Sequence, residues 1–321
     1  MTLSTPTSHT LAFVGVTTAG SSIMRLFPEW ARYLGLDADI VGVDLPLGAP
    51  PAAYRSCISR LSADPTISGA LVTSHKTAVY DHAGDLLAEL DPHARLCREI
   101  SCIARREAGL AGWAKDPITA GQALDHLLGD DHWSTHRADA VCFGAGGAGI
   151  AIAVRLLTEA EGPRRLVLID RDPARLELAR EVCAQIGADG RLDARVHSDA
   201  ANNDAVLGEL PAGSLVINAT GMGKDTPGAP ITAAAVFPDD AVAWDLNYRG
   251  ELEFLRLAER QPADRRVRTA DGWRYFLHGW TEVIAEVFEL DLTPERFEGL
   301  AAIAAEQSGR VDARPAVGET P

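Results

Sequence analysis

Six consecutive residues, Gly144-Ala145-Gly146-Gly147-Ala148-Gly149, have the make-up of a phosphate-binding loop. An apolar run at 140–143 precedes them, and an apolar, alanine-rich stretch from about 150 to 160 follows. A second apolar run, 166–169, ends in Asp170. Strand, glycine turn, helix, strand, acid is the βαβ unit that holds a dinucleotide. Gly144 permits the tight turn, Gly146 lets a pyrophosphate reach the backbone, and Gly149 lets the helix approach the strand. Free N–H groups and the helix dipole supply the positive end. Asp170 is placed to accept from ribose hydroxyls, with Arg171 beside it. Ala145, Gly147 and Ala148 complete the cofactor loop.

Other residues with chemical potential are scattered. His75 directly precedes Lys76 and either relays a proton or caps a turn; the cap is the favoured reading. Lys76 and Asp116, taken by position alone, read as surface charges. No HExxH or Cys/His cluster appears, so no metal is expected. No GxSxG elbow appears either.

These residues need elements to position them. The 321-residue chain is long enough for two domains with separate cores. Its 46% apolar and 23% charged content is that of a soluble globular protein. A net charge of −15 disfavours nucleic acid and anionic membranes as partners. The five cysteines form no CxxC pair, and no secretion signal is seen, which together fit a cytoplasmic protein. Strands are expected at 11–16, 39–43 and 69–73, with helices at 23–34, up to about 61, and at 83–87. A hairpin is expected over 100–105 and 109–113, followed by a helix at 119–128. The nucleotide half adds strands at 194–197, 215–218 and 242–245, with helices at 173–186 and 251–260. Alternating strands and helices predict parallel sheets in both halves.

Five landmarks in order resemble the shikimate/quinate dehydrogenase family over roughly residues 11–300. They are Val72-Thr73-Ser74-His75-Lys76, Gly112-Trp113-Ala114-Lys115-Asp116, the glycine loop, Asn218-Ala219-Thr220-Gly221-Met222-Gly223, and Asp245-Leu246-Asn247-Tyr248. The resemblance implies an α/β protein of two domains. An N-terminal α/β substrate domain covers 1–120, with helices in 270–307 packing back on it. A Rossmann, doubly wound nucleotide domain covers 121–269, and a disordered tail covers 308–321. It implies hydride transfer between a nicotinamide and a ring carbinol, in a cleft between the domains, with Lys76 and Asp116 catalytic. Ser21, Ser22, Thr73, Ser101, Tyr248 and His278 are the implied substrate ligands. Asn218, Thr220, Gly221, Met222 and Asn247 join the cofactor residues.

The departures bear on the substrate. Ile23, Met24, Phe27 and Pro28 replace the family's Ser-Pro and His-Asn pattern, and Ser101-Cys102 replaces Asn-Thr. The late glutamine is gone, and Trp273, Tyr275 and Trp280 stand nearby, facing either a bulkier ring or the core. Unpaired ligand hydroxyls cost about 1–3 kcal/mol each, so shikimate itself is expected to be a poor substrate. A related cyclic polyol or hydroxy acid fits better. Family members that prefer NADP tend to read Asn-Arg-Thr where this chain has Asp170-Arg171-Asp172. Two acids around one arginine predict NAD over NADP. Two other readings stand: a methylene-folate-type dehydrogenase, and a nucleotide-binding regulator without activity. A homodimer is left open.

Overall fold

The computed structural model describes residues 9–310 except residue 225. The chain divides into two compact units. One ends at Lys115 and resumes at Gly279; the other spans Asp116–His278. The first unit runs β1 (His9–Gly15), α1 (Ile23–Leu34), β2 (Ala38–Asp44), α2 (Pro51–Ala63), β3 (Ile67–Val72), α3 (Lys76–Ala83), β4 (Glu89–Leu90), α4 (Pro92–Cys97), β5 (Cys102–Arg106) and β6 (Gly109–Trp113). The second runs α5 (Asp116–Leu128), α6 (His132–His136), β7 (Ala140–Phe143), α7 (Gly147–Thr158), β8 (Leu166–Asp170), α8 (Pro173–Gln185), β9 (Leu192–Val196), α9 (Ala200–Leu207), β10 (Leu215–Asn218), β11 (Val242–Asp245), α10 (Glu253–Glu259) and β12 (Arg268–Ala270). The unit boundary falls within α11 (Trp273–Val287), and α12 (Pro294–Ser308) follows in the first unit.

Local rules account for these boundaries. Pro51, Pro92, Pro173 and Pro294 each open a helix, where a missing N–H costs nothing. Asp91, Asp172, Asp199 and Thr293 cap helices by accepting from backbone N–H groups. Gly35 ends α1 in the left-handed conformation at φ 70°.

The first sheet has the order β2-β1-β3-β5-β6-β4. β1 pairs in parallel with β2 and β3, while β5 joins β3 and β6 antiparallel. Ala12, Val14, Ile58, Ala70, Val72, Ile100 and Ile103 centre its core. Trp30 of α1 donates to the Leu300 carbonyl of α12 at 2.9 Å, buried.

The second sheet, β12-β11-β10-β7-β8-β9, is parallel throughout. Strand order reverses between β7 and β10, the switch point at which open α/β sheets bind ligands. β7, β8, β10 and β11 are buried along their full length. That explains their continuous apolar runs, as sheets covered on both faces require.

Several expected boundaries move. The helix expected at 83–87 is the end of α3 plus a single 3₁₀ turn at Gly84–Leu86, so Lys76 begins a helix. The helix expected from 119 starts at Asp116. The strand expected at 194–197 lies at Leu192–Val196. The expected disordered tail lies outside the described residues beyond residue 310, while α12 itself reaches Ser308.

Burial sets one pH response. His132, packed on Trp133 and His136, is 5% exposed, and its pKa is lowered to about 4 chiefly by that burial. Burial also lowers His278, to about 3. The unfolded chain, with histidines near 6.5, binds protons first, so stability is lost as pH falls from about 6.5 toward 4. Burial raises Asp245 to about 6, which opposes this over part of the range. Two histidines outweigh one carboxylate. We expect the thermal midpoint to drop by several degrees between pH 6.5 and 4. His132→Asn should flatten that slope. An unchanged slope in the variant would remove His132 from the account.

Candidate active site

In the second unit the glycine loop leaves β7 and enters α7. Gly144 has φ 103°, and a Cβ there would lie 2.7 Å from the Ala219 carbonyl oxygen at the end of β10. Gly149 lies under the loop, so that a Cβ would sit 2.0 Å from the Gly144 oxygen. Gly146, by contrast, faces open space: a Cβ would meet nothing within 4 Å. Two glycines thus close the turn, and one leaves room for an incoming pyrophosphate. Gly147 and Ala148 begin α7 with no side-chain cap from Gly146, leaving N–H groups for an anion. The residues present fit a dinucleotide.

Asp170 is turned inward. It is 8% exposed. One carboxylate oxygen accepts from Ala145 N at 2.7 Å and the other from Asp172 N at 2.9 Å. Arg171 is exposed, and Arg175 lies 3.8 Å from Asp170 and 3.7 Å from Asp172.

A polar lattice joins the ends of β10 and β11. Buried Asn218 donates to Asp245 Oδ2 at 3.1 Å and to the Met222 carbonyl at 3.2 Å, and accepts from Thr220. Asn247 also donates to Met222 O, at 2.9 Å, and Thr220 Oγ1 accepts from Met222 N. These bonds fix the turn through Gly221. Asn218 and Asn247 therefore spend their amides on the protein itself.

Tyr248 packs on Trp273 and Phe276, and Trp273 stacks on Phe276 at 5.2 Å. Trp280 sits edge-on to Phe13 in the first unit. Trp273 and Trp280 are 5% and 4% exposed, so both are core side chains and form no wall for a bulky ring. Tyr275 is half-buried, edge-on to Trp244. His278 is 7% exposed and held neutral by burial, with Arg274 and His126 adding to the downward shift.

In the first unit Lys76 is half-buried and starts α3, just beyond the carboxyl end of β3. Its carbonyl accepts from Ile100 N at 3.1 Å. His75 is buried at 2% exposure. Its Nε2 donates to the Leu45 carbonyl at 2.9 Å, and its Nδ1 is hydrogen-bonded with Tyr54 OH at 3.2 Å. His75 stands at the N-cap position of α3 but makes no side-chain capping bond, so the capping reading is corrected: the ring is a strut between Leu45 and Tyr54. Ser101 Oγ accepts from Lys115 N at 2.7 Å and faces the Trp113 carbonyl at 3.5 Å. Ser21 and Ser22 are half-buried at the start of α1, and Ser22 makes no capping bond. Ile23 and Phe27 are fully buried, so these departures serve the core. Asp116, 5% exposed, is the first residue of the second unit.

Two groups escaped sequence reasoning. Glu286 of α11 holds both Lys115, at 2.7 Å, and Arg106, whose guanidinium lies over Trp113. Asp44, at the end of β2, accepts from Thr18 N at 2.8 Å and Thr18 Oγ1 at 2.6 Å. No local motif announces either, because the partners are distant in sequence.

No family model matches the chain. The shikimate dehydrogenase (NADP(+)) of Salinibacter ruber is 30% identical over 205 residues, covering 63% of this chain and 67% of that protein. The chain belongs to the shikimate dehydrogenase family. A second relative, the shikimate dehydrogenase (NADP(+)) of Methylobacterium radiotolerans, is 26% identical over 280 residues, 87% of this chain and 89% of that one. Solved structures share the fold. Quinate dehydrogenase from Corynebacterium glutamicum, in complex with NAD, has a TM-score of 0.71 at 21% identity, covering 92% of this chain and 99% of that chain. The 5-ketofructose reductase of a Gluconobacter strain has a TM-score of 0.64 at 21% identity, covering 94% and 99%. This chain is a shikimate/quinate dehydrogenase-like oxidoreductase.

The expectation of NAD is overturned, because the relatives are named for NADP(+). Asp170, expected to turn its carboxylate to a ribose, accepts one backbone N–H at each oxygen.

The loop geometry separates two glycines. Gly149→Ala should lower both the melting temperature and dinucleotide affinity, since its Cβ strikes the loop carbonyl. Gly146→Ala should melt within about a degree of the parent yet bind dinucleotide at least tenfold more weakly. Titration alongside melting checks this, and full affinity in Gly146→Ala would place the pyrophosphate elsewhere.

Proposed function

We propose that this family member transfers hydride between NADP and a ring carbinol or ketone of a small cyclic polyol or hydroxy acid, and that shikimate itself is a poor substrate. The observation that carries the reading is the pairing of two features. One unit holds a dinucleotide loop at its sheet's switch point, and the other presents Lys76 at the carboxyl end of a parallel strand.

Bound NADP accepts or supplies the hydride. The protein's task is the proton. As hydride leaves the carbinol carbon, the hydroxyl must lose H⁺, and Lys76 is the group assigned to take it. Asp116 is assigned to the same machinery by the family order of motifs. Thr73, Ser21, Ser22 and Tyr248 remain the assigned substrate contacts, with Ser101 and His278 acting from buried positions. A cytoplasmic setting is compatible with five free, buried cysteines. The reported relatives are hydride-transfer enzymes by name, and nothing in them favours a folate dehydrogenase or a silent regulator.

The choice of NADP is supported by the cations around Asp170. With that carboxylate satisfied by Ala145 and Asp172 N–H groups, exposed Arg171 and Arg175 are the nearby groups that can meet a 2′-phosphate.

Lys76→Ala should lower turnover about 10²–10⁴-fold, the span of general acid–base groups, with NADP affinity unchanged. Steady-state kinetics with a panel of cyclic polyols and NADP checks this, and turnover within a few-fold of the parent would exclude Lys76. Arg171→Ala combined with Arg175→Ala should weaken NADP at least tenfold and NAD little. Equal losses for both cofactors would remove the arginines from phosphate recognition.

A further inference from the structure

We propose that Asp44 is a substrate-binding residue, and that it selects an uncharged polyhydroxy ring compound over the corresponding carboxylic acid. The proposal rests on the reading that the Lys76 end of the first sheet takes the reacting ring.

The position comes from the sheet register. Gly15 of β1 stands opposite Asp44 of β2, and Val14 opposite Val72 of β3. Asp44 therefore lies at the carboxyl ends of three parallel strands, where open α/β sheets take ligands. A Cβ on Gly15 would lie 3.2 Å from both Thr18 Cγ2 and Thr73 Oγ1. The side chains of Thr18 and Thr73 thus converge above β1, and Asp44 is bonded to the first of them. The next residue, Leu45, accepts from His75, which immediately precedes Lys76. Asp44 and the lysine-bearing turn are fixed to one framework.

The arrangement is built rather than incidental. A Cβ on Gly42 would fall 2.0 Å from Thr18 Oγ1, so the threonine lies where only glycine leaves space. Both Thr18 donors go to the same carboxylate oxygen, Oδ1. Those hydrogen bonds also keep the Asp44 pKa below its usual value, so the group is anionic at neutral pH. Oδ2 accepts no hydrogen bond among the described residues, and Asp44 is exposed. An ionised oxygen so placed accepts from ring hydroxyls and repels a ligand carboxylate. The family's polar positions that would welcome an acid are spent differently. Ile23 and Phe27 are in the core, and Ser101 binds Lys115 N.

The test uses shikimate, its methyl ester and its amide. Binding is measured by calorimetry on the full chain with NADP and a Lys76→Met substitution, and turnover on the parent. The ester and amide should bind at least tenfold more tightly than the acid. Asp44→Asn should reduce that ratio to near unity by improving the acid, with NADP binding and melting temperature unchanged. Should Asp44→Asn fail to fold, the parent ratio decides alone. An acid that binds as well as the ester and amide, an unchanged ratio in Asp44→Asn, or no binding of any of the three would overturn the proposal. Ester binding without turnover of any ring carbinol would instead sink the hydride-transfer reading and leave this one standing.

Discussion

The dinucleotide half depends on one close approach. The Gly144 carbonyl occupies the place where a Cβ of residue 149 would be. Because α7 can come that near, the helix starts directly beneath the loop, with no side-chain cap from Gly146 on its first N–H groups. The rest of the lattice supports that approach. Asp170 holds the loop by Ala145 N, Gly144 N donates to the Ile169 carbonyl at 2.7 Å, and Asn218 ties the end of β10 to Asp245. Buried strands on both sides of the switch point make this framework stiff.

Polar burial in this protein follows satisfaction rather than a need for exposed chemistry. Asn218, Asp245 and Asn247 are almost wholly buried, and each finds partners at the ends of two strands. Desolvation still pushes Asp245 up to about 6 against those hydrogen bonds. His75 shows the same economy, with its ring spanning Leu45 and Tyr54. The histidine beside Lys76 is thus a strut.

Much of the fold was legible because its signals are local. The runs at 140–143, 215–218 and 242–245 are strands with those same bounds, since full burial makes each continuously apolar. Helix α1 also matches its expected bounds, ended by Gly35. Short elements such as α6 and α9 carry little periodic signal and were not foreseen. The aromatic residues near the C-terminus were ambiguous for another reason. A Trp codes equally for a ligand wall and for a core, and only packing on Phe13 or Phe276 chooses.

By itself, the sequence determined the order of the main strands and long helices, the glycine loop and the family, because these depend on residue type and spacing along the chain. Tertiary structure alone decided where side chains spend their hydrogen bonds. Asp170 reads as a ribose ligand by position, and the fold gives it a further partner, because one of its oxygens accepts from the backbone of a loop 25 residues earlier. Asp44 carried no signal at all, because its partner Thr18 lies 26 residues away and meets it only when β1 and β2 pair. Carboxylates accept from whichever donors the fold brings within about 3 Å, and that proximity is a property of the packed sheet.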